Sequence, residues 1–246
     1  MSLTPRCAPL LLLPLLGCPA EQLGVHIPEG GPDAMSHEDL TRDVHALVKL
    51  GDRRPGGAGT RAGLEILQRR LGEMKTLPAF GSGYVQQQAT GWAVCGQKDG
   101  RSDRAVLIVA QDAGDGAGDS AAPSAALISL AKSYDLNQPP PETLIFCAVS
   151  AQGGWETLWA TPPVPQSTVK TLVVLGPLGE QEGFTLTEST REAPGGALQG
   201  VLASTGKQAL HDGPEDRMER LDYVGLVTDL LAVRAHVEAQ VSARAK

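Results

Sequence analysis

The chain has 246 residues, enough for one generous domain, with 41% hydrophobic and 20% charged residues and aromatics at only 4%. Its net charge of -7 comes without a long basic run, which argues against nucleic acid as a partner. No stretch approaches the roughly 20 apolar residues of a membrane-spanning helix, and 5 His with 4 Cys leave few donors for a metal site.

Residues 1–17 are expected to be a secretory signal peptide: Arg6 precedes an apolar core from Ala8 to Leu16 that is too short to cross a bilayer. Leu15-Leu16-Gly17-Cys18 looks like a bacterial lipobox, in which cleavage falls before the Cys and the Cys carries the lipid. A plain signal peptide or an unstructured apolar start is the other reading. Lipidation at Cys18 implies a membrane partner reached through the anchor. It also implies a place at the bacterial cell envelope, facing the periplasm or the exterior. Residues 18–35 are Pro/Gly-rich and aperiodic, as a lipidated tether would be.

One domain is expected over 36–245. Ser36 is a fitting N-cap, with Glu38 and Asp39 in the first turn. Leu40, Val44, Leu47 and Val48 share one helical face, and Gly51 closes the helix. After a Pro/Gly loop, Thr60 is expected to cap a second helix carrying Leu64, Leu67, Leu71 and Met74. Tyr84–Cys95 contains strand-like pieces broken at Gly91, and Gly96 to Gly100 has the composition of a turn. Ala105–Ala110, Thr143–Val149 and Thr171–Leu175 are continuous apolar runs, as in strands buried on both faces. Ala121–Tyr134 is expected to be helical. A helix over Asp222–Ala245 closes the chain, with Val224, Val227, Leu231 and Val237 among its apolar positions. Alternating strands and helices predict an α/β fold, a three-layer α/β/α sandwich around a mostly parallel mixed sheet. Cys95 and Cys147 are either buried free thiols or, in an oxidising compartment, a disulfide.

In such sheets, sites form beyond the carboxyl ends of the strands. Gln111-Asp112-Ala113 follows the first buried run, with Gly118-Asp119-Ser120 at the head of the next helix. Ser150-Ala151-Gln152 follows the second run, Gly176 the third, and His211-Asp212-Gly213-Pro214 stands before the last helix. This order resembles the zinc aminopeptidase family of bacterial leucyl aminopeptidases and glutaminyl cyclases. Leu50 to Gly57 is similar to that family's L-G-P-R-P-P-G-S, and RAVLIVAQDA to its strand ending in A-H-x-D. Gly118 to Ala125 is similar to T-D-S-A-V-P-C-A, Phe146 to Gly153 to F-x-x-x-E-E-x-G, and HDGPEDRMERLD to H-T-P-x-D-x-x-x-x-L-D. The resemblance implies the zinc-exopeptidase fold and a zinc site of His, Asp and Glu.

The departures decide the expected chemistry. A catalytic zinc takes about four donors, with an activated water and a base. The resemblance places Gln111 at the first His, Ser150 at the general-base Glu, Ala151 at the neighbouring ligand Glu and Gly176 at the next carboxylate. Asp119 and His211 match family ligands and are the candidate, vestigial metal residues. As a helix-head residue Asp119 also fits an N-cap, and His211 a solvated loop His. Asp112 and Glu156 are the carboxylates that could move in to replace those missing. Trp155 and Trp159, at i,i+4, suit a packing stripe or the wall of a pocket. A G-x-S-x-G elbow and a P-loop are absent, and nothing in the spacing singles out Ser150 with His211 as a nucleophile pair. The expected function is a non-catalytic, lipid-anchored binding or scaffold module, with a peptide or protein as ligand, no catalytic residue and no cofactor. The alternative is an active metallo-aminopeptidase or glutaminyl cyclase with relocated zinc ligands. A structural lipoprotein with no pocket is a third reading.

Overall fold

A computed structural model describes residues 34–114, 116–134, 138–179, 183–205 and 218–244, with the side chain of Asp119 left undescribed. Residues 1–17, where a signal peptide is expected, Cys18 and His211 lie outside the described residues.

The first helix, α1 (His37–Val48), starts as its sequence dictates: the Ser36 hydroxyl accepts the Asp39 N–H, and Leu40, Val44 and Leu47 are buried. Thr60 opens α2 (Thr60–Glu73) as its first residue, not as its cap, because its hydroxyl donates to the Arg54 carbonyl. The small strands β1 (Leu77–Pro78) and β2 (Val85–Gln87) both pair with β3 (Trp92–Lys98). The expected turn at Gly96 is instead the interior of β3. A Cβ there would lie 2.3 Å from Thr76 Oγ1, so the glycine marks a close approach inside a strand.

The sheet core is β4 (Ala105–Asp112), β5 (Thr143–Ser150), β6 (Val169–Leu175) and β8 (Leu198–Thr205), all mutually parallel. The edge strand β7 (Phe184–Arg191) pairs antiparallel with β8, and β3 antiparallel with β5. The strand order is β1-β3-β5-β4-β6-β8-β7. The three apolar runs are therefore strands as expected, buried on both faces. The hairpin of β7 and β8 was not expected, because β7 is a half-exposed strand rich in Thr, Ser and Glu.

Alternation along the strands splits the core in two. Val106, Ile108, Ala110, Phe146 and Val173 pack with α1, α2, α3 (Ala122–Ser133) and α5 (Tyr223–Arg244) on one face. Leu107, Val109, Ile145 and Leu172 pack on the other face with Leu158 and Trp159 of α4 (Gly154–Ala160). This is the three-layer α/β/α sandwich with a mixed, centrally parallel sheet. The buried face of α5 is Leu226, Leu230, Val233, Val237 and Val241, and of the expected positions only Val237 is fully buried. Val224 is 65% exposed, because contact with α1 and α3, not apolarity alone, selects the inner face.

Cys95 and Cys147 are directly opposite across β3 and β5, with Cα atoms 4.2 Å apart, and form a disulfide in the second core layer. The bond closes a loop with a sequence separation of 52. By chain entropy this constrains the unfolded state by up to about 4 kcal/mol. The double variant Cys95→Ala/Cys147→Ala is expected to lose about 2–4 kcal/mol in urea unfolding; an unchanged midpoint would show that the bond contributes nothing to stability.

Candidate functional site

The register aligns the carboxyl ends of the parallel strands, with Asp112 beside Ser150 and Ala110 beside Leu175. Pleating then sends neighbours to opposite faces. Asp112 and Ser150 lie on the face covered by α1, α2, α3 and α5, while Gln111 and Gly176 lie on the α4 side.

Asp112 is only 2% exposed and its carboxylate is fully engaged. Arg53 Nε donates to Oδ2 at 3.0 Å and Nη2 to Oδ1 at 3.3 Å, and the Gly114 N–H also donates to Oδ1 at 3.0 Å. Arg53, 1% exposed, places Nη1 on the carbonyls of Leu47 (2.8 Å) and Gly51 (3.2 Å). Its own carbonyl accepts the indole N–H of Trp92 at 3.0 Å. In the loop beside it, Asp52 accepts from the Arg54 guanidinium and backbone N–H, which hold its carboxyl below the usual range.

Ser150 stands where the resemblance puts the general base. Its Oγ accepts the Trp92 N–H at 3.0 Å and donates to the Gln152 carbonyl at 2.7 Å, so this hydroxyl serves as a backbone bridge. The chain after it turns through Gly153 at φ +66°, where a Cβ would also lie 2.2 Å from the Thr90 carbonyl oxygen. Ala151 is exposed and carries no donor. Gln111 is half-buried, and its Oε1 accepts from Arg191 Nη2 of β7 at 3.3 Å. At Gly176 a Cβ would meet Leu202 Cδ1 at 3.0 Å, so a carboxylate-bearing side chain would have to displace that leucine.

Of the candidate metal residues, Asp119 lies within a π-helical turn, Ala117–Ala121, that leads into α3, so it does not stand at the N-cap. Its side chain and all of His211 lie outside the described residues. Glu156 projects from α4 beside Trp155, Trp159 and Glu192, away from the Arg53–Asp112 pair. Among the described residues, no three His, Cys, Asp or Glu are grouped to hold a metal ion. The described strand-end residues thus do not fit a zinc site. Sequence reasoning missed Arg53 and Arg191 as site residues. Arg53 sat inside a quoted motif and could have been paired with the strand-end Asp112, whereas Arg191 had no local signal.

No family model matches the chain, and no curated protein matches it in sequence. Solved structures do match it in fold. Glutaminyl cyclase from Porphyromonas gingivalis superposes with a TM-score of 0.63 at 16% identity, covering 85% of this chain and 99% of that one. A Zn-dependent exopeptidase from Parabacteroides distasonis gives 0.62 at 15% identity, covering 82% and 97%. A leucine aminopeptidase precursor from Bacteroides thetaiotaomicron gives 0.61 at 12%, covering 81% and 95%. The fold is therefore that of bacterial glutaminyl cyclases and zinc-dependent exopeptidases, as the motif order implied.

Removing one partner of a buried ion pair leaves an uncompensated charge, at a cost of about 3–5 kcal/mol. Asp112→Ala is expected to destabilise by that amount in chemical unfolding, and Arg53→Met in the same chain to recover part of the loss. A stable Asp112→Ala protein would show that the carboxylate is free for another role.

Proposed function

We propose that this chain is a non-catalytic binding module on a zinc-exopeptidase-like fold. In this reading residues 1–17 are removed, Cys18 carries the lipid, and residues 18–35 tether the domain to a bacterial envelope membrane. The observation that carries the non-catalytic part is the state of the strand ends. Gln111, Ser150, Ala151 and Gly176 provide no zinc-binding carboxylate, imidazole or thiolate, and the adjacent carboxylate, Asp112, is consumed by Arg53. Zinc chemistry needs several such donors and a base. A relocated site built on Asp119, His211 and Asp112 would have to break a fully buried ion pair first.

The disulfide supports export, since such bonds form and persist in oxidising compartments. A plain structural lipoprotein is less favoured than a binding module, because α4 and the connection from β7 to β8 frame an open groove of about 400 Å³.

Metal analysis of the purified protein is expected to find far less than one zinc per chain, with no zinc-dependent hydrolysis of aminoacyl-nitroanilides and no cyclisation of amino-terminal glutamine. Stoichiometric zinc together with either activity would overturn the reading in favour of an active metalloenzyme. For the anchor, a Cys18→Ser variant is expected to lose incorporation of radiolabelled palmitate and to leave the membrane fraction; undiminished labelling would place the lipid elsewhere or remove it from the account.

A further inference from the structure

The groove beside α4 is lined by two tryptophans, two glutamates and small apolar residues. Trp155 and Trp159 stand one turn apart, their rings 5.7 Å between centroids and 76° between planes. Trp159 is buried in the second core layer and Trp155 packs partly exposed against it. The Trp155 indole N–H donates to the Glu192 carbonyl, which pins the connection between β7 and β8 onto α4 and sets the width of the groove. Ala160 and Pro194 add apolar wall, and Glu156 and Glu192 are exposed at the rim.

A further observation points to an occupant. Among the described residues no Lys or Arg lines the groove, and the neighbouring Arg191 extends its guanidinium to Gln111. The rim carboxylates are therefore left facing an aromatic wall. Trp159 is 93% withdrawn from solvent and lines the groove, which gives the aromatic wall a fixed base.

We propose that this groove binds an arginine side chain presented by a peptide. It rests on the binding-module reading above and supplies the ligand class for it. A guanidinium is planar, stacks on an indole face and offers forked donors to carboxylates. Glu156 and Glu192 supply those acceptors. An anionic ligand would meet two like charges, and an apolar one would leave both carboxylates unpaired.

The experiment uses the detergent-solubilised full chain with its 3 tryptophans labelled for indole N–H NMR. The probes are the peptide Gly-Gly-Arg-Gly-Gly and the same peptide with neutral citrulline in place of arginine. The arginine peptide is expected to shift the Trp155 and Trp159 signals and to leave Trp92, held on the Arg53 carbonyl, in place. The citrulline peptide is expected to leave all three unmoved. The variant Glu156→Gln/Glu192→Gln should raise the half-saturation concentration about tenfold. Silent Trp155 and Trp159 signals, an equal response to citrulline, or an unchanged half-saturation in the variant would each overturn the proposal. Zinc loading and turnover would instead overturn the non-catalytic reading, and the indole signals would still judge the groove on their own.

Discussion

The carboxyl end of the sheet depends on the contact between Arg53 and Asp112. Both side chains are withdrawn from water, which costs several kcal/mol per ion, so the pair persists only if its hydrogen bonding is complete. It is nearly so. Both carboxylate oxygens have guanidinium donors, Oδ1 also takes the Gly114 N–H, and Arg53 spends Nη1 on the carbonyls of Leu47 and Gly51. The Leu47 carbonyl belongs to the last turn of α1, where helices leave acceptors unmet and favour positive charge. One side chain thus closes α1, orders the loop after it and fixes the end of β4. The Arg53 backbone carbonyl, by accepting the Trp92 indole N–H, also holds the start of β3.

The opposite end of the sheet is held on the same principle with a different geometry. Glu142, which precedes β5, is fully buried and receives Arg244 from the end of α5 at 2.7 and 3.0 Å and Arg104, before β4, at 3.3 Å. Arg104 also donates to the Arg244 carbonyl. Here the carboxylate is interior and the arginines are partly exposed, so hydration offsets part of the cost. At the Arg53 end neither ion retains that relief, which is why its partners are so fully prescribed.

Apolar patterning made the layers legible. Continuous runs such as AVLIVA could only be strands buried on two faces, and the Ser36 cap and the face of α1 followed from local rules. What was illegible depended on partners distant in the chain. Gly96 looked like a turn because Thr76, whose Oγ1 leaves no room for a Cβ there, comes 20 residues earlier. The face of α5 could not be read because Val224 and Leu231 are as apolar as Leu226 and Leu230, and packing alone separates them. The pairing of Cys95 with Cys147 followed only once β3 was known to lie beside β5. At the site, each residue that the resemblance sets at a metal position could be named from order. What satisfies it could not, since Arg53 is 59 residues from Asp112 and Arg191 is 80 from Gln111.

These long-range arginines explain how the described strand-end acceptors are satisfied within the chain. A metal-binding strand end is a cluster of acceptors gathered around a cation. Here Asp112 is such an acceptor, and the cation it gathers is covalently part of the chain. At Gln111 the acceptor is neutral and a second guanidinium supplies the donor. At these two positions polar satisfaction is reached with donors from the chain itself. With Asp112 neutralised internally, Glu156 and Glu192 on the other layer are carboxylates that line an aromatic groove. The same arginine that occupies Gln111 is withdrawn from that groove, so closing the strand end and leaving the groove open to a positive ligand are two consequences of one side-chain placement.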